Sequence, residues 1–245
     1  MVPHENEWTA ESRNNGNESS SRCSNLQDLN GKVFKFNWLG WRRFAWDFFV
    51  IQIGFLLFGL AIDVIVQASL GLDPWDVLQM ALTYHLPITL GESNIGVAFI
   101  IILVDVALKE PLGWGTIANM IFIGVWVDIL RPYVPLVPGS VLVQLGYLLL
   151  GVLIMGFATA IYIKVNAGAG PRDTLMLALS RLGKTSVRIA RTIIEVTVVV
   201  VGWLLGGPAW FGTLVSALAI GPAVQLGFKI LKVRTSNAEV ADIGD

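Results

Sequence analysis

The sequence predicts an all-α polytopic membrane protein. Six transmembrane helices form two inverted-topology three-helix repeats, each with a short interfacial or re-entrant helix after its first span. Three observations carry this prediction. The first is composition: 54% of the 245 residues are apolar and only 14% charged, with a mean hydropathy of +0.66, too little polar surface for a water-soluble domain. The second is an internal repeat at an offset of 97 residues (168 minus 71). Between 54 and 129 the gapless register gives 18 identities in 76 pairs, including Gly54/Gly151, Gly59/Gly156, Pro74/Pro171, Asp76/Asp173, Pro111/Pro208, Gly115/Gly212 and Thr116/Thr213. Pro, Gly and Asp pairs in one register do not follow from shared hydrophobicity, so the chain reads as a duplication. The third is charge. Each repeat holds three spans, an odd number, so the second must enter the membrane from the opposite side. With the N-terminus inside, 16 of the 17 Lys and Arg fall on that side, all but Arg131, as the positive-inside rule requires.

In chain order, residues 1–40 are polar and lack an apolar run, which predicts a disordered cytoplasmic tail rather than a signal peptide. Membrane repeat 1 covers 41–131. Its first span runs from about Trp46 to Ala68, followed by a loop and a short apolar segment from Trp75 to about Leu86, too short to cross a bilayer. Spans from about Ile95 to Leu108 and Gly113 to Leu130 complete it, separated by Lys109-Glu110-Pro111. Residues 132–140, with Pro135 and Pro138, form a linker. Repeat 2, 141–232, repeats the order: a span from Val141 to Ile163, a short helix to about Leu182, and spans over Val187–Leu205 and Trp210–Leu231. A cytoplasmic tail, 233–245, closes the chain. Trp38, Trp41, Trp46, Trp114, Trp126 and Trp210 fall near span ends, as an aromatic belt does.

The repeat centres on Gly71-Leu-Asp73-Pro74-Trp-Asp76 and its copy Gly168-Ala-Gly170-Pro171-Arg172-Asp173. As a helix start, each stretch needs no ligand. Proline suits the first helical position, Asp73 or Gly170 is the N-cap, and Asp76 and Asp173 sit at the third position, facing the helix dipole. Used functionally, the same geometry offers helix N-termini and carboxylates to a substrate near the midplane. Candidate substrate-binding residues are therefore Gly71, Asp73, Pro74, Asp76, Gly168, Gly170, Pro171, Arg172 and Asp173, with Glu195 from the fifth span. Arg191 precedes Glu195 by four residues, the spacing of an ion pair on one helix face. Asp105 has only Lys109 as a ready partner. Asp63 and Asp128 fall near span ends, where hydration is expected. His85 suits an interface. Gly54, Gly59, Gly151 and Gly156 suit close helix packing at the repeat interface.

The chain has one cysteine, Cys23, and two histidines, so neither an intrachain disulfide nor a Cys- or His-rich metal site can be built. A net charge of −1 gives no bias toward nucleic acid. Gly183-Lys184-Thr185 lacks the earlier glycine of a phosphate-binding loop. No catalytic residue, cofactor or metal is expected.

The stretch Gly71–Leu78, together with Ala167–Met176, resembles the YczE/YyaS/YitT group of bacterial integral membrane proteins, and the likeness covers about 40–232. It implies a bacterial plasma-membrane location and brings no settled activity. The expected function is a small secondary transporter or permease, not an enzyme. The alternative is a non-transporting scaffold or regulatory partner docking through loop 172–191 or the N-terminal tail. The expected partners are the lipid bilayer and a small-molecule or ion substrate. A protein partner or a homo-oligomer is also compatible with the sequence.

Overall fold

A computed structural model describes residues 41–137 and 139–233, without the side chains of 41–43. The expected tail over 1–40, most of the C-terminal tail, and the side chains of Trp38 and Trp41 lie outside the described residues. Eight α-helices follow in order: α1 (Trp41–Ala68), α2 (Pro74–His85), α3 (Leu90–Ala107), α4 (Trp114–Leu130), α5 (Val141–Lys164), α6 (Pro171–Gly183), α7 (Val187–Leu204) and α8 (Phe211–Leu231). A 3₁₀ turn over Arg131–Tyr133 follows α4. No strand occurs among the described residues.

The helix starts follow from local chemistry. Pro74 and Pro171 occupy the first turns of α2 and α6, where a missing N–H costs nothing. α3 starts at Leu90, about five residues before its expected position. The reason is a capping box: Thr89 accepts from the Glu92 N–H and Glu92 returns the bond to Thr89. Starts at Pro74, Leu90 and Trp114 recur 97 residues later at Pro171, Val187 and Phe211. Left-handed backbone recurs in the same register, at Ser69/Asn166, Gly71/Gly168 and Lys109/Gly206.

Among the described residues, five helices are long and apolar enough to cross a membrane: Phe44–Ala68, Leu90–Ala107, Trp114–Tyr133, Val141–Lys164 and Phe211–Leu231. α7, 18 residues, covers the expected fifth span but for its last residue, and carries Arg188, Arg191 and Glu195.

α1 and α5 pack along each other at the centre, with α4 against α1 and α8 against α5. Their core includes Ile51, Phe55, Ile62, Ile65, Leu148, Val152 and Met155. A second cluster, Trp75, Val97, Ile101, Met176 and Ile194, joins α2, α3, α6 and α7. The small residues explain the close approach. A Cβ on Gly54 would meet Tyr162 at 3.3 Å, and one on Gly151 would meet Ile65 at 2.6 Å, both at the α1–α5 crossing. Gly59 and Gly156, expected at the same crossing, instead face Trp126 of α4 and Ala223 of α8. Each thus packs within its own half. The halves are not identical in packing: α3 lies along α4, whereas α7 and α8 scarcely touch.

Candidate functional site

Each motif loop is fixed by the last helix of the other half. The Gly212 N–H donates to the Leu70 carbonyl at 2.8 Å, and the Leu72 N–H donates to Thr213 Oγ1 at 3.2 Å. In the second copy, Gly115 N–H donates to the Ala167 carbonyl at 2.9 Å and Thr116 Oγ1 donates to the Ala169 carbonyl at 2.7 Å. Gly71 and Gly168 have φ of +125° and +124°, a region that favours glycine. A Cβ on Gly71 would stand 2.8 Å from the Thr213 backbone nitrogen, and one on Gly168 2.8 Å from the Gly113 Cα. Packing accounts for both glycines, and for Pro74 and Pro171, without a ligand. At Gly170 a Cβ would meet only Asp173, Tyr162 and Asn119, at 3.4 Å or more.

The remaining candidates converge. Asp73 stands at the N-cap of α2, but its side chain makes no capping hydrogen bond. It lies instead in the electrostatic field of Arg172, Glu195 and Arg191, all from the second half. Asp76 is fully buried at the third position of α2. Gln79 sits one turn further on, also buried. With the Gln79 amide nitrogen turned toward Asp76 Oδ1 (3.1 Å), its oxygen accepts from Arg172 Nη2 at 2.6 Å and from Asn94 Nδ2 at 3.3 Å. That orientation satisfies both ends of the amide and is the one adopted here. The Arg172 guanidinium lies 5.1 Å from the centroid of the Trp75 ring, within cation–π range. These two residues occupy equivalent positions at the 97-residue offset, where the two copies differ in charge.

Asp173 takes a different partner. Tyr162, from α5, donates its hydroxyl to Asp173 Oδ2 at 2.9 Å. Arg191 Nε donates to Glu195 Oε1 at 2.8 Å, the ion pair expected from the four-residue spacing. His85 is exposed, with Nε2 2.9 Å from the Leu205 carbonyl oxygen.

Two buried polar atoms of the site have no protein partner, Asp76 Oδ2 and Trp75 Nε1. Asp73 and Asp76 lie outside the five long apolar helices. Burial raises both carboxyls above the ordinary carboxylate range, and Arg172 opposes the shift in each. Asp73 pushes Asp76 up further, to about 8.

Two expectations need correction. Asp63, expected to be hydrated, is 0% exposed and neither of its oxygens has a hydrogen bond. Position near the end of a helix does not set depth, because α1 is packed along its length against α4 and α5. Asp105 is likewise buried with both oxygens unpartnered, and Lys109 makes no bond to it. Lys109 has left-handed backbone just beyond the end of α3, so it does not continue the face that carries Asp105. Sequence reading missed Gln79 and Asn94. The one signal for Asn94 was its repeat counterpart, Arg191.

The arrangement offers carboxylates, a guanidinium, amides and an indole N–H. It suits binding a small polar solute or exchanging a proton.

A family model described as "Family of unknown function (DUF6198)" matches residues 45–229. The chain is 35% identical over 188 residues to an uncharacterized protein of Haemophilus influenzae, covering 73% of this chain and 84% of the relative. It is 31% identical over 182 residues to the uncharacterized membrane protein YczE of Bacillus subtilis, covering 72% and 81%. The uncharacterized protein YyaS of the same bacterium is 26% identical over 185 residues, covering 74% and 91%. No solved structure matches the chain.

Proposed function

The chain belongs to the DUF6198 family, and we propose that it works as a small secondary permease for a small molecule or ion. The observation that carries this reading is a polar centre, with Asp73, Asp76, Gln79 and Asn94 buried, to which both halves contribute. Asp73, Asp76, Gln79 and Asn94 come from the first half, and Arg172, Arg191 and Glu195 from the second. Secondary transporters place their substrate sites where short or broken helices of related halves meet. Buried ionisable groups are costly in a membrane protein and serve function by default.

On this reading the halves are inverted repeats. The recurring helix starts and left-handed positions support the duplication, and the sidedness of Lys and Arg supports the inversion. α7 then joins the five long apolar helices as a membrane span, the fifth in chain order. Its Arg191 and Glu195 neutralise each other, which lowers the cost of crossing. Six spans leave both termini on the cytoplasmic side of a bacterial plasma membrane, whereas five would separate them. No catalysis, cofactor or metal enters the proposal. The rival reading, a non-transporting scaffold, draws on the exposed basic residues Lys184, just after α6, and Arg188, in the first turn of α7.

A ligand screen tests the proposal. Purified full-length protein is melted with a panel of small polar solutes, and each stabilising solute is followed across proteoliposomes by counterflow. The expected result is a solute that stabilises and crosses, with crossing lost in Asp76→Asn and Asp173→Asn while both still fold. Full exchange in both variants overturns the site. A solute that binds and never crosses favours the scaffold.

A further inference from the structure

We propose that Asp63 and Asp76 are the two inner stations of a proton relay, so that the proton is the ion this protein couples to. This rests on the permease reading and names its coupling ion.

The two carboxyls stand on different helices, α1 and α2, and each is 0% exposed. Both oxygens of Asp63 and Oδ2 of Asp76 lack a hydrogen-bond partner. They lie within electrostatic range of each other. An ionised carboxylate without partners is far more costly to bury than a neutral acid, so such a group is stable when it holds a proton. Arg131 acts on Asp63 and Arg172 on Asp76 electrostatically, but neither forms an ion pair with these carboxyls among the described residues.

The fold does not require Asp63. Its counterpart in the second half is Ala160, which is also fully buried. The equivalent helix therefore packs with a methyl group at that place. A carboxyl that makes no bond, at a position where alanine suffices, has no structural role to account for it.

Asp63 and Asp76 also belong to a file of acids. Asp128 of α4 is half-buried and accepts from Thr89 Oγ1 at 2.6 Å and from the Gly91 N–H at 3.0 Å. Asp63 lies in the electrostatic field of Asp128 and Arg131, Asp76 in that of Asp63, Asp73 and Arg172, and Asp73 in that of Glu195, Arg191 and Arg172. The file thus runs Asp128, Asp63, Asp76, Asp73, Glu195, from one partly exposed end to the other. Successive members act on one another electrostatically and share no direct hydrogen bond among the described residues. A proton passes when water bridges them: one O–H bond breaks, another forms on the next carboxyl, and no further reactant is needed. Among the described residues, no three His, Cys, Asp or Glu side chains converge to hold a metal ion. The file therefore suits protons taken one carboxyl at a time.

Dicyclohexylcarbodiimide tests this, because it modifies protonated carboxyls in apolar surroundings. Full-length protein in proteoliposomes is treated across a pH series and the adducts are mapped by peptide mass. The expected result is an adduct on Asp63 or Asp76 at neutral pH that disappears at alkaline pH, and loss of the Asp63 adduct in Asp63→Asn. The same vesicles, with a pH-sensitive dye inside and an imposed membrane potential, should take up protons. That uptake should be lost in Asp63→Asn and Asp76→Asn proteins that melt as cooperatively as the parent. Absence of adduct on both residues at every pH overturns the proposal. So does protection by sodium without protection by alkaline pH, or an adduct accompanied by no proton uptake. The carbodiimide result does not depend on solute transport, so failure of the permease reading is read separately from failure of the relay.

Discussion

Replacing Asp63 with alanine should make the protein more stable. Its carboxyl is 0% exposed and unpartnered at both oxygens. Burying a neutral polar group without a hydrogen bond costs about 1–3 kcal/mol in protein mutational series. Removing the carboxyl leaves a void of roughly 25 Å³, which at about 24 cal/mol per Å³ returns about 0.6 kcal/mol of that gain. The net effect is a stabilisation of roughly 0.5–2.5 kcal/mol. For a chain of this size that raises the melting midpoint by about 1–10 °C at about 2–4 °C per kcal/mol. The assay is thermal or denaturant unfolding in detergent at neutral pH, followed by tryptophan fluorescence. Asp128→Ala is the matched control. Asp128 accepts two hydrogen bonds, from Thr89 and Gly91, so its removal should cost about 1.5–3 kcal/mol. If Asp63→Ala destabilised the protein as much as Asp128→Ala, Asp63 would have a structural partner. Both the stability argument and the relay built on it would then fail.

Asp76 gives a pH prediction. Its carboxyl rises from 3.8 to about 8 on folding, mainly through burial. Between those values the folded protein holds a proton that the unfolded chain has released, so stability falls as pH rises from about 4 toward 8 and levels off above. Melting across that range should show the slope, and Asp76→Asn should flatten it; an unchanged slope in the variant refutes the assignment. Gly71→Ala and Gly168→Ala should each cost more than about 1 kcal/mol, because φ near +125° and a Cβ contact of 2.8 Å leave alanine no unstrained place. Wild-type melting in either variant would show that the loop shifts freely.

Much of this architecture was legible because it rests on local rules. Pro74 and Pro171 announce helix starts, Gly71 and Gly168 announce left-handed turns, and the 97-residue register carries one half onto the other. The Arg191–Glu195 pair follows from helical spacing. What stayed hidden depends on contacts between helices. Asp63 reads as hydrated from its place near the end of α1, yet the packing of α1 against α4 and α5 leaves it fully buried. Gln79 and Asn94 are uncharged residues in apolar stretches, and nothing local shows that they meet Arg172 across the repeat boundary. Asp73 looks like an N-cap by position, yet its side chain faces the charges of α6 and α7 instead.

The central claim is that both motif loops border one site reached from the two sides of the membrane in turn. Side-resolved cysteine labelling tests it most directly. Cys23 is replaced by serine, and Asp76→Cys or Asp173→Cys is introduced into that background. An impermeant thiol reagent is then applied first from outside and then from inside. The permease account predicts that each position reacts from both sides. Reaction of 76 from outside only and 173 from inside only would keep the inverted topology but contradict alternating access, and would favour the scaffold. Reaction of both from the same single side would contradict the topology itself.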